Sequence, residues 1–181
     1  MVIRQLPSQG LSFQLWPATN TLVTLLDHHC CDPSNSPLSS TLLDQHRSLN
    51  ILKLGFGTGL VGVAVAATLG ANVMIIDLPH VITNLQFNVE ANAPVLAASG
   101  GTVHMASLRW GEVDDVNLIG QDFDLVLTSD VVYHDPLNVF FLKIFKRFFL
   151  FSFDSEFIFV KKKKTLQNVS FDKNLKVKGL N

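Results

Sequence analysis

The chain has 181 residues, 48% of them hydrophobic, enough to bury roughly 70% of the unfolded surface in one core without disulfide or metal staples. Cys30 and Cys31 are adjacent and cannot cross-link distant segments, and the first ten residues hold one basic residue, Arg4, and no long apolar run. The amino end therefore does not read as a secretory signal, and the expected location is the cytoplasm or the nucleus. With 14 Lys and Arg against 15 Asp and Glu the charge sum is near balance, no stacking platform or recognition module supports nucleic-acid binding, and in the Phe-rich segment after Val139 the charges of Lys143, Lys146, Arg147, Asp154 and Glu156 interrupt any run of the ~20 apolar residues of a membrane span.

In chain order, Gln5 to His29 begins with turn residues and continues with Leu22, Val23, Leu25 and Leu26 at helical spacing, a leading helix packed on the domain. Asp32 to Ser40 is a loop by its Pro, Ser and Asn content. A short strand, Asn50 to Leu54, runs into GFGTGLVG and an Ala-rich apolar helix that ends at Leu69 and is capped by Gly70. Ala71 to Ile76 is continuously apolar and ends in Asp77, as a buried parallel strand does. His80 to Ala91 follows as an amphipathic helix, with Val81, Leu85 and Val89 on one side and Asn84 and Asn88 on another. Thr102 to Ala106 and Asp122 to Thr128 read as two more strands, the second delivering SDVVYHDPL. Strand, glycine loop, helix, strand, helix, strand is the pattern of a doubly wound α/β sheet.

Composition changes near Val139. Residues 1–139 carry four basic and 12 acidic side chains; residues 140–181 carry 10 basic and three acidic, with 10 of the 14 Phe. About 40 residues lie at the lower limit of independent folding, so the division is a domain over 1–138 and an atypical Phe- and Lys-rich tail over 139–181. Lys161 to Lys164 read as a solvated basic run, with a nuclear address or nucleic-acid contact as the rival reading.

In an open parallel sheet, ligands bind beyond the carboxyl ends of the strands, where the winding reverses. Gly55, Gly57 and Gly59 fall there, and missing side chains let backbone N–H groups approach a ligand. Asp77 ends the second strand, where a carboxylate can accept ribose hydroxyls; Asp130 and Tyr133 follow the fourth. Together they describe a nucleoside-containing cofactor. Its identity stays open at this point, because Gly57 to Gly62 fits the dinucleotide pattern GxGxxG with Asp77 20 positions after Gly57. Each residue also has a structural reading: helix packing for Gly57 and Gly59, helix capping for Asp77, core for Trp110, a turn for Asp130. His80 and His134 stand without ligand-spaced partners, and no metal is expected.

ILKLGFGTGLVGVAVA, DLPHVITNLQFNV, SLRWGE and SDVVYHDPL, preceded by GLSFQLWPA, resemble in this order the family 16 seven-strand methyltransferases, which include many protein-lysine methyltransferases. The resemblance implies a Rossmann-like, mostly parallel sheet of the class I methyltransferase type, S-adenosyl-L-methionine as cofactor, and a protein lysine as methyl acceptor, with neither nucleic acid nor membrane as partner. It places the methionine moiety on Gly55, Gly57 and Gly59, the ribose on Asp77 and the adenine edge on Trp110. Trp16 lines the pocket, and Asp130 with Tyr133 forms an acid-x-x-tyrosine motif beside the acceptor.

Three departures accompany it. Lys53 stands where the family has an acidic residue, and a cation there repels a cofactor that carries a sulfonium. Phe56 occupies a loop position that is normally small. The 44 residues after Leu137 are fewer than the family uses for a helix, a fifth strand and a terminal strand pair. The expectation is a truncated or altered form lacking its C-terminal strands, with Phe157 to Val160 as at best a fifth strand and an open edge beyond it. A catalytically inactive, methyltransferase-like binding protein is the alternative, and an NAD-dependent oxidoreductase the third reading.

Overall fold

The computed structural model describes residues 1–36, 38–42, 48–55, 57–109, 112, 115, 119, 123–129, 156–161 and 165–168. Its centre is strand β1, Asn50–Leu54, buried at every residue but the first. Parallel neighbours flank it: β2, Asn72–Asp77, on one side and β4, Leu125–Ser129, on the other. Strand β3, Thr102–Ser107, adds to β2, and β5, Glu156–Lys161, adds to β4, both in parallel. Strand β6, Thr165–Asn168, pairs antiparallel with β5, giving the order β3-β2-β1-β4-β5-β6. The start of β1 is locked to β4 by Asp124, whose carboxylate accepts from the Asn50 N–H at 2.8 Å while its own N–H donates to Asn50 O at 2.8 Å.

The doubly wound sheet is as expected, with two differences at its carboxyl end. The fifth strand is one residue longer at each end than Phe157 to Val160, and its edge is not open: β6 pairs along it from Ile158 to Lys161. Lys161, the first residue of the lysine run, is the last residue of β5 and pairs with Thr165; the other three lie outside the described residues. Of the seven strands the resemblance implies, six are present among the described residues.

Helix α1, Pro17–Cys31, buries Ala18, Leu22, Leu26 and His29 as a single stripe and packs on α3, Leu60–Leu69. The α3 sequence is apolar all round and buried from Val61 to Ala66, as a helix between a sheet and another helix must be. Gly70 caps it in the left-handed conformation. A short helix α2, Ser39–Leu42, closes the Pro- and Ser-rich connection. The segment after β2 makes one 3-10 turn at Pro79–Val81 before helix α4, Ile82–Ala91. A further helix α5, Ala93–Ser99, has no counterpart in the sequence reading, because seven residues are too few for a resolvable period. Gly101 beyond it lies so close to Ala66 O of α3 that no Cβ could fit.

The amphipathic reading of α4 needs correction. Asn84 and Asn88 do not face water: they are buried at 3% and 0% exposure, and Asn92 at 1%. These asparagines are i, i+4 and i+8 on one helical face, and they are buried because each bonds to backbone or side-chain groups that arrive from far away in sequence.

Candidate functional site

The strand order reverses between β1 and β4, so the crevice beyond their carboxyl ends is the ligand position for this topology. Two loop glycines there have packing reasons of their own. Gly57 adopts φ +53° and Gly59 φ +84°, where side-chain-bearing residues are strained. A Cβ on Gly57 would lie 2.8 Å from Ser12 O, and one on Gly59 would lie 2.8 Å from the Leu85 side chain. Both glycines let the loop nest against the amino-terminal segment and α4, while Gly55 continues the β1–β2 pairing by donating its N–H to Ile76 O at 3.1 Å.

Asp77, at the end of β2, reaches across to this loop. Its Oδ2 accepts from the Gly57 N–H at 3.1 Å and its Oδ1 from the Leu78 N–H at 2.6 Å. The carboxylate thus bonds the next residue and the glycine loop, a different role from capping α4. A carboxylate accepts up to about four hydrogen bonds, so holding two backbone N–H groups is compatible with accepting ribose hydroxyls. The chain after β3 starts beside it, with Leu108 N–H donating to Asp77 O at 2.8 Å. There Arg109 clamps Asp115 in a two-pronged pair, Nε to Oδ2 and Nη2 to Oδ1 at 2.9 Å each, and adds its backbone N–H to Oδ2 at 2.9 Å. The guanidinium and that N–H hold the Asp115 carboxyl down to about 2.

The amino-terminal segment forms a strap over the glycine loop. Val2 exchanges two hydrogen bonds with the Asn92 side chain, at 2.8 and 2.7 Å. Arg4 exchanges two with Asn88, at 2.7 and 3.1 Å, and its Nε donates to Asn84 Oδ1 at 2.8 Å while the guanidinium covers the Phe87 ring at 3.7 Å. Asn88 also donates to Thr58 O at 2.8 Å, so one side chain ties the strap to the loop. Farther along, Phe13 packs against His80 with ring centroids 6.1 Å apart. Trp16, half-buried at the start of α1, fixes its indole by donating Nε1–H to Leu11 O at 3.0 Å.

Lys53 has not turned out into solvent. It is 1% exposed, and its Nζ donates to Leu54 O at 3.0 Å, Gly55 O at 2.8 Å and Ser129 Oγ at 3.1 Å. Of the site residues read from sequence, Gly55, Gly57, Gly59 and Asp77 come together, with the strap that leads into Trp16 laid against them. Trp110, Asp130 and Tyr133, like Phe56, lie outside the described residues. Sequence reading missed the asparagine ladder and the Arg109–Asp115 clamp; the repeat of Asn at positions 84, 88 and 92 was the visible signal for the first.

Residues 1–178 match the family model described as lysine methyltransferase. The chain belongs to this family. The match runs past both ends of the stretch from Gly10 to Leu137 that carries the sequence motifs. Protein-lysine N-methyltransferase rrg1 of Schizosaccharomyces pombe is 33% identical over 122 residues, which are 63% of this chain and 40% of that protein. EEF1A lysine methyltransferase 3 of Mus musculus is 40% identical over 90 residues, 50% of this chain and 36% of that one. METTL21E of Mus musculus is 32% identical over 124 residues, 67% and 45% respectively. The chain thus spans less than half the length of these relatives. Among solved structures, the mitomycin 7-O-methyltransferase MmcR shares the fold with a TM-score of 0.52 at 15% identity, over 78% of this chain and 36% of that one. An O-methyltransferase family protein from Burkholderia thailandensis does so at 0.50 and 13%, over 78% and 39%.

S-adenosylmethionine is the cofactor of this family, and the dinucleotide reading is not favoured. The residues present fit its adenosine half: a carboxylate at the end of β2 and a glycine loop at the switch point. Toward the sulfonium the fit is poorer, because the Lys53 ammonium is buried beside Gly55 O.

Proposed function

We propose that the chain is an S-adenosylmethionine-dependent methyltransferase acting on a protein lysine. The observation that carries this is the junction of Asp77 with the Gly57 N–H at the β1–β4 switch point, taken with membership of the lysine methyltransferase family. Bound there, the cofactor supplies an electrophilic methyl group, so the protein has mainly to align a neutral amine and keep water out. Asp77 accepts the ribose hydroxyls, and the glycine loop carries the methionine moiety. Trp16 and Trp110 line the adenosine pocket. At the acceptor, Asp130 holds the incoming amine by a charge-assisted hydrogen bond and Tyr133 walls the channel. The named protein-lysine methyltransferases among the relatives support a protein as substrate.

Lys53 favours one further reading, an inactive member that binds a partner without transferring methyl groups. Calorimetric titration with S-adenosylhomocysteine and transfer of labelled methyl groups into a cell lysate separate the two. The enzyme reading expects saturable binding, weakened at least about tenfold in Asp77→Asn, with no response to NAD and with label on protein lysines. Binding without transfer favours the inactive member. Binding of NAD alone overturns both.

A further inference from the structure

We infer that Asn88 is a positioning residue for the cofactor: it couples docking of the amino-terminal strap to the shape of the glycine loop, so that strap and cofactor hold each other in place. This rests on the reading that puts the cofactor at that loop. Asn88 is wholly buried, at 0% exposure, and its side-chain amide is fully engaged. Oδ1 accepts the Arg4 N–H at 2.7 Å, and the two hydrogens of Nδ2 go to Arg4 O at 3.1 Å and to Thr58 O at 2.8 Å. One planar group with two donor hydrogens thus serves strap and loop together. When Arg4 leaves, the amide loses the two bonds that set its plane, and only the bond to Thr58 is left to hold it.

Thr58 is 1% exposed and stands between Gly57 and Gly59, both in the left-handed region at φ +53° and +84°. Glycines restrain their neighbouring peptide planes little, so hydrogen bonds have to fix them. Asp77 takes the Gly57 N–H, and Asn88 takes the Thr58 carbonyl. Because a trans peptide is planar, fixing that carbonyl also fixes the Gly59 N–H, which points the opposite way at the start of α3. The strap is the weaker partner. It has no buried residue from Met1 to Ser12, and its hold on α4 comes from the asparagine bonds and from Arg4 over Phe87, so it can open without unfolding the core. A ligand that fixes the loop then favours the closed strap by the same factor by which the closed strap favours the ligand.

The test measures both directions on the full chain. Amide exchange at Arg4 is followed with and without saturating S-adenosylhomocysteine, and the affinity for that ligand is measured by calorimetry in the native chain, Arg4→Pro, Asn88→Leu and the double variant, with thermal unfolding to establish that each folds. A ligand that only stabilises the whole fold slows amides that exchange by global unfolding and leaves a locally opening strap unchanged. Coupling instead expects Arg4 to exchange at least about fivefold more slowly with ligand bound, and Arg4→Pro, which removes the N–H that Asn88 accepts, to weaken binding by a comparable factor. In the Asn88→Leu background the same Arg4→Pro change is expected to alter affinity less than about twofold, since the link is already cut. The native exchange decides even if no variant folds: binding with Arg4 exchange unchanged overturns the coupling and leaves the cofactor reading standing. An Arg4→Pro effect of full size in Asn88→Leu overturns the role of Asn88. Failure of the native chain to bind the ligand overturns both the coupling and the cofactor reading.

Discussion

Arg109 and Asp115 form an ion pair at 2.9 Å, and that pair makes a pH prediction with a definite sign. Asp115 is held down to about 2 in the folded chain, below the ~3.9 of an ordinary aspartate. A carboxyl lowered by folding stabilises the folded state above its unfolded value, and that stabilisation is lost as pH falls toward the folded value. In urea unfolding, the native chain should exceed Asp115→Asn in stability by a constant margin above about pH 4, with the gap closing between about pH 4 and 2. A margin that stays constant through that interval would show that the carboxylate contributes nothing through its charge. Little of this clamp was legible beforehand. Two residues six apart in sequence match neither a helical nor a strand period, whereas Asp77, at the end of an apolar run, announces its place at a strand terminus. Lys53 lies between these cases: its charge was visible as an anomaly, but only the fold shows that the ammonium is retained beside the glycine loop.

The elements whose signals are local were legible nearly to the residue. β1 occupies Asn50–Leu54 as read, and Gly70 ends α3 because a left-handed cap is a property of one residue and its helix. Helix α4 was located and its apolar side, Val81 and Leu85, is buried as read, but the asparagine side is buried too, since Asn reads as a solvent-facing residue unless its partners are known, and those of Asn88 are Arg4 and Thr58, 84 and 30 positions away. Burial of a polar group is tolerable only when it is hydrogen-bonded, and here the ladder meets that condition by ordering the strap. Asn88→Leu should therefore cost about 2–4 kcal/mol, because it leaves the half-buried Arg4 N–H and the buried Thr58 carbonyl without this partner. Amide hydrogen exchange provides the finer check: Arg4 should exchange much faster in the variant, together with the amides of the glycine loop. Faster exchange at Arg4 with the loop unchanged would mean that the strap covers the loop without bracing it.

At the scale of the whole molecule, the division of charge matters more than its sum. Residues 1–139 carry four basic against 12 acidic side chains and residues 140–181 carry 10 against three, yet β5 and β6 from the basic part complete the sheet built by the acidic part. Among the described residues the sheet ends on that side at β6, four residues long, and a short edge strand is a poor template for adding another chain. Self-association, where it occurs, should be driven by charge: the acidic region of one molecule meeting the basic region of another is a head-to-tail contact that need not close. It should be strongest near pH 6.6, the isoelectric point, where no net repulsion keeps molecules apart. Raising ionic strength from about 10 mM to about 0.15 M shortens the screening length from about 30 Å to about 8 Å, so light scattering should report large species at the first condition and their dissolution at the second. Species that persist or grow as salt is added would instead mark an apolar contact, and would shift attention from the charges to the Phe-rich sequence that leads into β5.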